Sequence, residues 1–256
     1  MGRSVSYPFR GPGWLPRVLV GAALEVAPLL AAFPVLRAVF RSSHHLRPGV
    51  FAWLPVVALV GLSCRFVVLG YMRRIARDVL QGNAHALPAW DRFGEDLTEG
   101  VKLWLLMLAL WLPGAGLVLA AVLLVGLVAW PAAAWVPALV FGPPVALVTL
   151  LYLPAGVLTA IETDELGRAF DLQRVSARIG RVFGPYLLVF VFAVAAEIFA
   201  QTGLILVCVG IFATRFIAHV MTVHAFATVI AADRFATPPP ASPNQASPVA
   251  GAISLP

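Results

Sequence analysis

LWLLMLALWLPGAGLVLAAVLLVGLVAWPAAAWVPALVFGPPVALVTLLYLPAGVLTAI, residues 103–161, contains no Asp, Glu, Lys, Arg or His across 59 consecutive positions. A helix on the surface of a water-soluble protein carries a charged or polar face, and no helix drawn from this stretch has a charged one. A helix crossing a bilayer needs about 20 largely apolar residues and no such face. The run holds two spans, about 101–128 and 136–160, joined at Trp130, Pro131 and Trp135. At about 1.5 Å per residue the first span is longer than the hydrocarbon layer. It is expected to tilt or bend, with Pro113-Gly114 as the kink.

The pattern extends outward from this run. Before it, an apolar stretch of about 50–70 leads into YMRRIARDVLQG, residues 71–82. Met72, Ile75, Ala76, Val79 and Leu80 recur there at helical spacing, with Arg73, Arg74, Arg77, Asp78 and Gln81 opposite. That predicts an amphipathic helix ending at Gly82, either continuing the span or lying at the interface. Earlier, an apolar segment of about 18–39 is interrupted by Glu25, Pro28, Pro34 and Arg37. Residues 1–17 read as an amphipathic interfacial arm, with Tyr7, Phe9 and Trp14 set among Arg3, Arg10 and Arg17. After the run, 162–181 is polar, and spans of about 185–204 and 208–230 form a tight hairpin. Residues 18–232 thus make one transmembrane domain, and the Pro-rich tail 233–256 is expected to be disordered.

The fold class is therefore an all-α polytopic transmembrane bundle of about six spans, with short amphipathic interfacial helices. Composition agrees: 61% of the chain is hydrophobic and 12% charged, against roughly 45–50% and 25% in soluble domains. Six spans put both termini on one side, which then carries thirteen basic residues against Arg37, Arg41 and Arg47 on the other. The positive-inside bias predicts cytoplasmic termini and cytoplasmic loops 71–100 and 162–181, in a cell membrane. The net charge of +6 arises from arginines gathered at span ends, so the partner it implies is the lipid bilayer and not nucleic acid. Three Pro among the first 16 residues argue against a cleaved signal peptide. Cys64 and Cys208 both lie in apolar stretches and read as small buried residues, not as a disulfide.

Two groups of residues carry possible chemistry. Glu25, Glu197, Arg215 and His219 fall inside spans, where an uncompensated charge costs several kcal/mol. Arg215 and His219 are four apart on one face, and Glu197 on the preceding span can reach it. They read either as an ion or substrate path or as an internal helix–helix pair with one member snorkelling. Arg65 lies near a span end and is expected to snorkel. The second group is the loop 87–100, LPAWDRFGEDLTEG. There Pro88 fixes the chain, Trp90 and Phe93 suit the headgroup layer, and Asp91 can cap the helix toward Gly100. An interfacial turn feeding a span and a ligand or partner site are both compatible with it. Asp91 to Gly100 and Asp171 to Gly180 share a spacing of nine, each Asp following an aromatic, a faint internal repeat. His44, His45, His85 and His224 form no metal-ligand set, and neither a catalytic constellation nor a cofactor fingerprint is present. No catalytic residue, metal or cofactor is therefore expected, and the chain does not read as an enzyme.

The stretch GYMRRIARDVLQGNAHALPAWDRFGEDLTEG, residues 70–100, resembles the signature of a family of bacterial and archaeal membrane proteins, unknown-function family 4013. In that family a Gly-Tyr and basic residues at the end of a span lead to a Gly. Leu-Pro-x-Trp-Asp, a Phe and a Gly then precede the next span. Gly70, Tyr71, Arg73, Arg77, Gly82, Leu87, Pro88, Trp90, Asp91, Phe93 and Gly100 match those positions. The opening is similar through Tyr7, Pro8, Phe9, Trp14, Arg17 and Gly21, and AFDLQRV at 169–175 resembles a later family stretch. Members carry an acid before the Trp where this chain has Gly11-Pro12-Gly13, so no N-terminal carboxylate is carried over. The resemblance implies a polytopic membrane protein and no activity. Two roles remain: a transporter or permease-like protein using the intramembrane residues, or a membrane scaffold acting through its cytoplasmic loops on a membrane-protein partner or as a homo-oligomer.

Overall fold

A computed structural model describes residues 2–41, 52–128, 135–202 and 210–236. All regular structure among them is helical. Helix α1 is Gly2–Ser6, followed by a 3-10 turn, Tyr7–Phe9. The long helices are α2 (Trp14–Arg41), α3 (Leu54–Leu80), α4 (Phe93–Val128) and α5 (Val136–Thr163). A 3-10 turn, Leu166–Phe170, leads to the short α6 (Leu172–Arg181), then α7 (Phe183–Thr202) and α8 (Gly210–Ala236). Among the described residues six helices, α2, α3, α4, α5, α7 and α8, are long and apolar enough to cross a bilayer.

The helices alternate in direction. The N-terminal arm, the 81–92 loop, the 164–182 segment and the end of α8 therefore gather at one polar end. Buried residues concentrate there and along α8, where Phe216, Val220, Ala227 and Ile230 are sealed from solvent. Towards the other end the helices present an apolar outer surface, including Leu112, Leu117, Leu124, Val148 and Phe199. In water so large an apolar surface would be a liability. In a bilayer it meets acyl chains as apolar as itself.

Three local points follow from the structure. Of the two placements open to the amphipathic segment after residue 70 it takes the first, continuing the span as the last turns of α3, which project past the apolar part of the bundle. It ends as the residues predict: Gly82 has φ +80°, its N–H donates to Val79 O at 3.1 Å, and Asn83 N–H donates to Asp78 O at 2.8 Å. Those two bonds and the left-handed residue make a Schellman cap. Helix α4 starts at Phe93, before the charge-free run, so at 36 residues it is about 54 Å long. Its polar first turns lie beside the projecting end of α3, and Pro113 is accommodated inside a continuous helix. The N-terminal arm, lastly, packs onto the bundle through Tyr7, which is fully buried against the His224 ring, with 4.2 Å between centroids. Trp130 and Pro131, residues 203–209 with Cys208, His44 and His45, and the residues after 236 lie outside the described residues.

Candidate functional site

Two polar systems emerge, one at the polar end and one inside the bundle. The first is built around the loop motif. Its backbone packs against the bundle end, where its carbonyls find side-chain partners. Four consecutive carbonyls receive one side chain each. Tyr7 Oη donates to Ala86 O at 3.1 Å, Arg17 to Leu87 O, Tyr71 Oη to Pro88 O at 2.9 Å, and Arg74 Nη2 to Ala89 O at 2.9 Å. Trp90 returns the contact, its Nε1 donating to Arg17 O at 2.8 Å. Its ring stacks on Tyr71 at 3.8 Å and 10°, with Phe93 beyond at 5.7 Å. Leu87 is 2% exposed and belongs to the core, while Pro88 shapes the turn that aims these carbonyls. Burial pushes the Tyr7 hydroxyl up to about 12, so it stays a donor through the physiological range.

Arg74 ties the loop to the next helix. Its guanidinium reaches Asp91 at 3.0 Å and the buried carboxylate of Asp96 at 2.9 Å. The hydrogen bond from Arg74 holds the Asp91 carboxyl below the usual range. Asp91 is thus not the cap expected of it: α4 begins two residues later, and the side chain turns to Arg74. Gly100 has a packing role, since a methyl there would run into the Phe66 carbonyl, and one at Gly70 into the Asp96 carbonyl. Helices α3 and α4 therefore touch backbone to backbone, which no residue with a side chain permits.

The later Asp–Gly pair behaves differently. Asp171 does cap, accepting from Arg174 N at 3.0 Å, and a methyl at Gly180 would meet nothing within 4 Å. Equal spacing in sequence hides unequal structure. Around that segment Arg73 and Arg77 reach Asp164 at 2.8 and 2.7 Å, and Arg178 pairs with Glu162. Arg181 grips Asp233 through two bonds of 3.0 and 2.9 Å, which raise the arginine's affinity for its proton.

The second system lies mid-bundle. Glu25 is eleven residues into α2 from the polar end, and Arg65 eleven residues into α3 from the other, each about 16 Å along its helix. The four intramembrane candidates come together, and Arg65 joins them. Arg65 Nη1 lies 3.9 Å from Glu25 Oε1, and His219 Nδ1 3.7 Å from the same oxygen. On its other edge, His219 Nε2 lies 3.7 Å from Glu197 Oε2, whose carboxylate is 3.8 Å from Arg215 Nε. Two carboxylates and two guanidiniums thus flank one imidazole, on four helices. Each separation is too long for a direct hydrogen bond, and Glu25 Oε1 is buried without one.

Beside this cluster, α3, α4, α5 and α8 line a half-open cavity of about 250 Å³. Its wall is apolar through Val68, Met72, Met107, Val157 and Phe226, with Arg65 and His219 contributing from the cluster and Arg73 from the polar end. Among the described residues no group of three or more His, Cys, Asp or Glu is placed to hold a metal ion. The residues underrated in the sequence are Arg65, read as a snorkelling side chain, and Tyr7, Arg17, Tyr71 and Arg74, whose partners are backbone carbonyls. Such carbonyls leave no mark in a sequence.

A family model described as "Protein of unknown function (DUF4013)" matches residues 50–209. No curated protein and no solved structure matches the chain.

Proposed function

Because the chain belongs to the DUF4013 family of proteins of unknown function, we propose its role from its own geometry: a transporter or permease-like protein whose pathway passes the Glu25–His219–Glu197 cluster. The observation that carries this is the convergence of every charged intramembrane candidate on one site beside a cavity that Arg65 and His219 help to line. Charges buried in hydrocarbon normally pair at short range. Here they stand 3.7–3.9 Å apart, spacings that suit a hydrated or exchangeable site more than a sealed pair. In this reading the bundle lies in the cell membrane with its polar end and both termini in the cytoplasm, as the arginine distribution favours. The reading includes no enzymatic step and takes Asp91, Asp96, Asp164 and Asp233, each met by an arginine, as structural.

The scaffold alternative stands second because carbonyls 86–89 and the rings of Tyr71 and Trp90 are engaged within the chain, although Arg92, Phe93 and Glu95 of the same loop stay exposed. Cysteine scanning of residues 211–224 with a membrane-impermeant thiol reagent tests the choice. Labelling on the Arg215–His219 face, deep in α8, is the expected result. Uniform protection would return the scaffold reading to the front.

A further inference from the structure

We propose that the cavity between α3, α4, α5 and α8 binds a single-chain anionic amphiphile, its carboxylate held by Arg65 and His219 and its chain lying along the apolar wall. This deepens the permease reading by naming a ligand class. Binding is measured without transport, so either can fail alone.

Three observations carry the assignment. The wall is almost wholly apolar, and water is a poor occupant of such a space. Among the described residues Arg65, His219 and Arg73 line it and no Asp or Glu does, Glu25 lying behind Arg65 and His219. The basic groups also differ in how far they are engaged. Arg73 is held by Asp164 and Glu99. Arg65 makes no hydrogen bond among the described residues, only the 3.9 Å approach to Glu25, and His219 stands 3.7 Å from each glutamate. A guanidinium with its donor fork unspent is suited to a carboxylate, which it takes through two parallel bonds. From Arg65 to Arg73 is eight residues of helix, about 12 Å of apolar wall for the chain. The headgroup would lie mid-bundle, whereas a phospholipid in the leaflet keeps its phosphate at the surface. The geometry therefore favours a free fatty-acid-like molecule over a bilayer lipid.

The test uses the full chain in phosphatidylcholine nanodiscs with labelled decanoate as the probe. Saturable binding of one decanoate per chain is expected, with methyl decanoate and decyltrimethylammonium failing to displace it. Arg65→Gln removes charge-assisted bonds and should weaken binding about tenfold or more, with Arg65→Lys retaining part of the affinity. Val157→Phe fills the cavity without touching a charge and should abolish binding, which guards against misreading an unfolded Arg65 variant. Absence of saturable binding to the wild type, equal displacement by the methyl ester, or wild-type affinity in both Arg65→Gln and Val157→Phe would overturn the proposal. So would loss of binding when phosphatidylglycerol replaces phosphatidylcholine, since that assigns the cavity to bilayer lipid.

Discussion

The polar end and the mid-bundle cluster contain the same chemistry, arginines facing carboxylates, at two different spacings. At the end, Arg74, Arg77 and Arg181 meet their acids at 2.7–3.0 Å, and Arg74 and Arg181 do so through more than one bond. In the cluster every approach is 3.7–3.9 Å and none is a hydrogen bond. The cost of an unsatisfied charge is larger in the middle of a bilayer than at its edge, so stability alone would favour the opposite arrangement. The contrast fits the proposed reading, in which the end holds shape and the cluster keeps its groups available.

The largest effect is expected where backbones touch. Gly100→Val forces a branched side chain into the Phe66 carbonyl and should cost more than about 4 kcal/mol, seen as loss of folded protein in a detergent thermal-unfolding assay. Wild-type stability in that variant would mean that α3 and α4 do not meet as described.

Next comes Arg74→Ala, which strands the Asp96 carboxylate, 5% exposed, together with the Ala89 carbonyl. Removing one partner of a buried pair costs about 3–5 kcal/mol. The unfolding midpoint should fall accordingly, while a drop no larger than that of an exposed arginine, such as Arg92→Ala, would contradict the clasp.

His219→Gln sharpens the comparison from the other side. With contacts this long, and in a site the permease reading takes as hydrated, it should change stability by less than about 1 kcal/mol. It should nevertheless alter thiol labelling at neighbouring positions on α8. A large destabilisation would make the cluster a structural lock like the first.

The smallest effect is the acid response of Asp91. Its carboxyl is held low by Arg74, so its contribution is complete above the ordinary aspartate value of about 3.9. It is lost as pH falls through the lower folded value. Asp91 is exposed, so salt should screen it further. Wild type and Asp91→Asn should therefore differ in unfolding midpoint at pH 7 in low salt and converge in strong acid. A gap that widens on acidification would reverse the sign.

How much of this was legible beforehand depends on the kind of contact. The spans follow from the 59 residues without charge, because a bilayer imposes one simple rule on composition. The meeting of Glu197 with Arg215 and His219 follows from a short hairpin and helical spacing. Glu25 could be flagged as costly while Arg65 read as a snorkelling side chain, and depth alone says nothing of partner, so their meeting with each other and with His219 was not visible. The clasp was the least readable. Side chains such as Tyr71 and Arg74 reach carbonyls, and every residue has one. Gly100 and Gly180 show the same limit: identical spacing from an Asp, one packed on a backbone and one in open space.

A pair of double-mutant cycles tests the contrast most directly, one on Arg74 with Asp96 and one on Arg215 with Glu197, each read by unfolding in the same lipid environment. A lock and an available site predict a coupling of about 2–3 kcal/mol in the first cycle and below about 0.5 kcal/mol in the second. Equal couplings, or a stronger one between Arg215 and Glu197, would contradict the account.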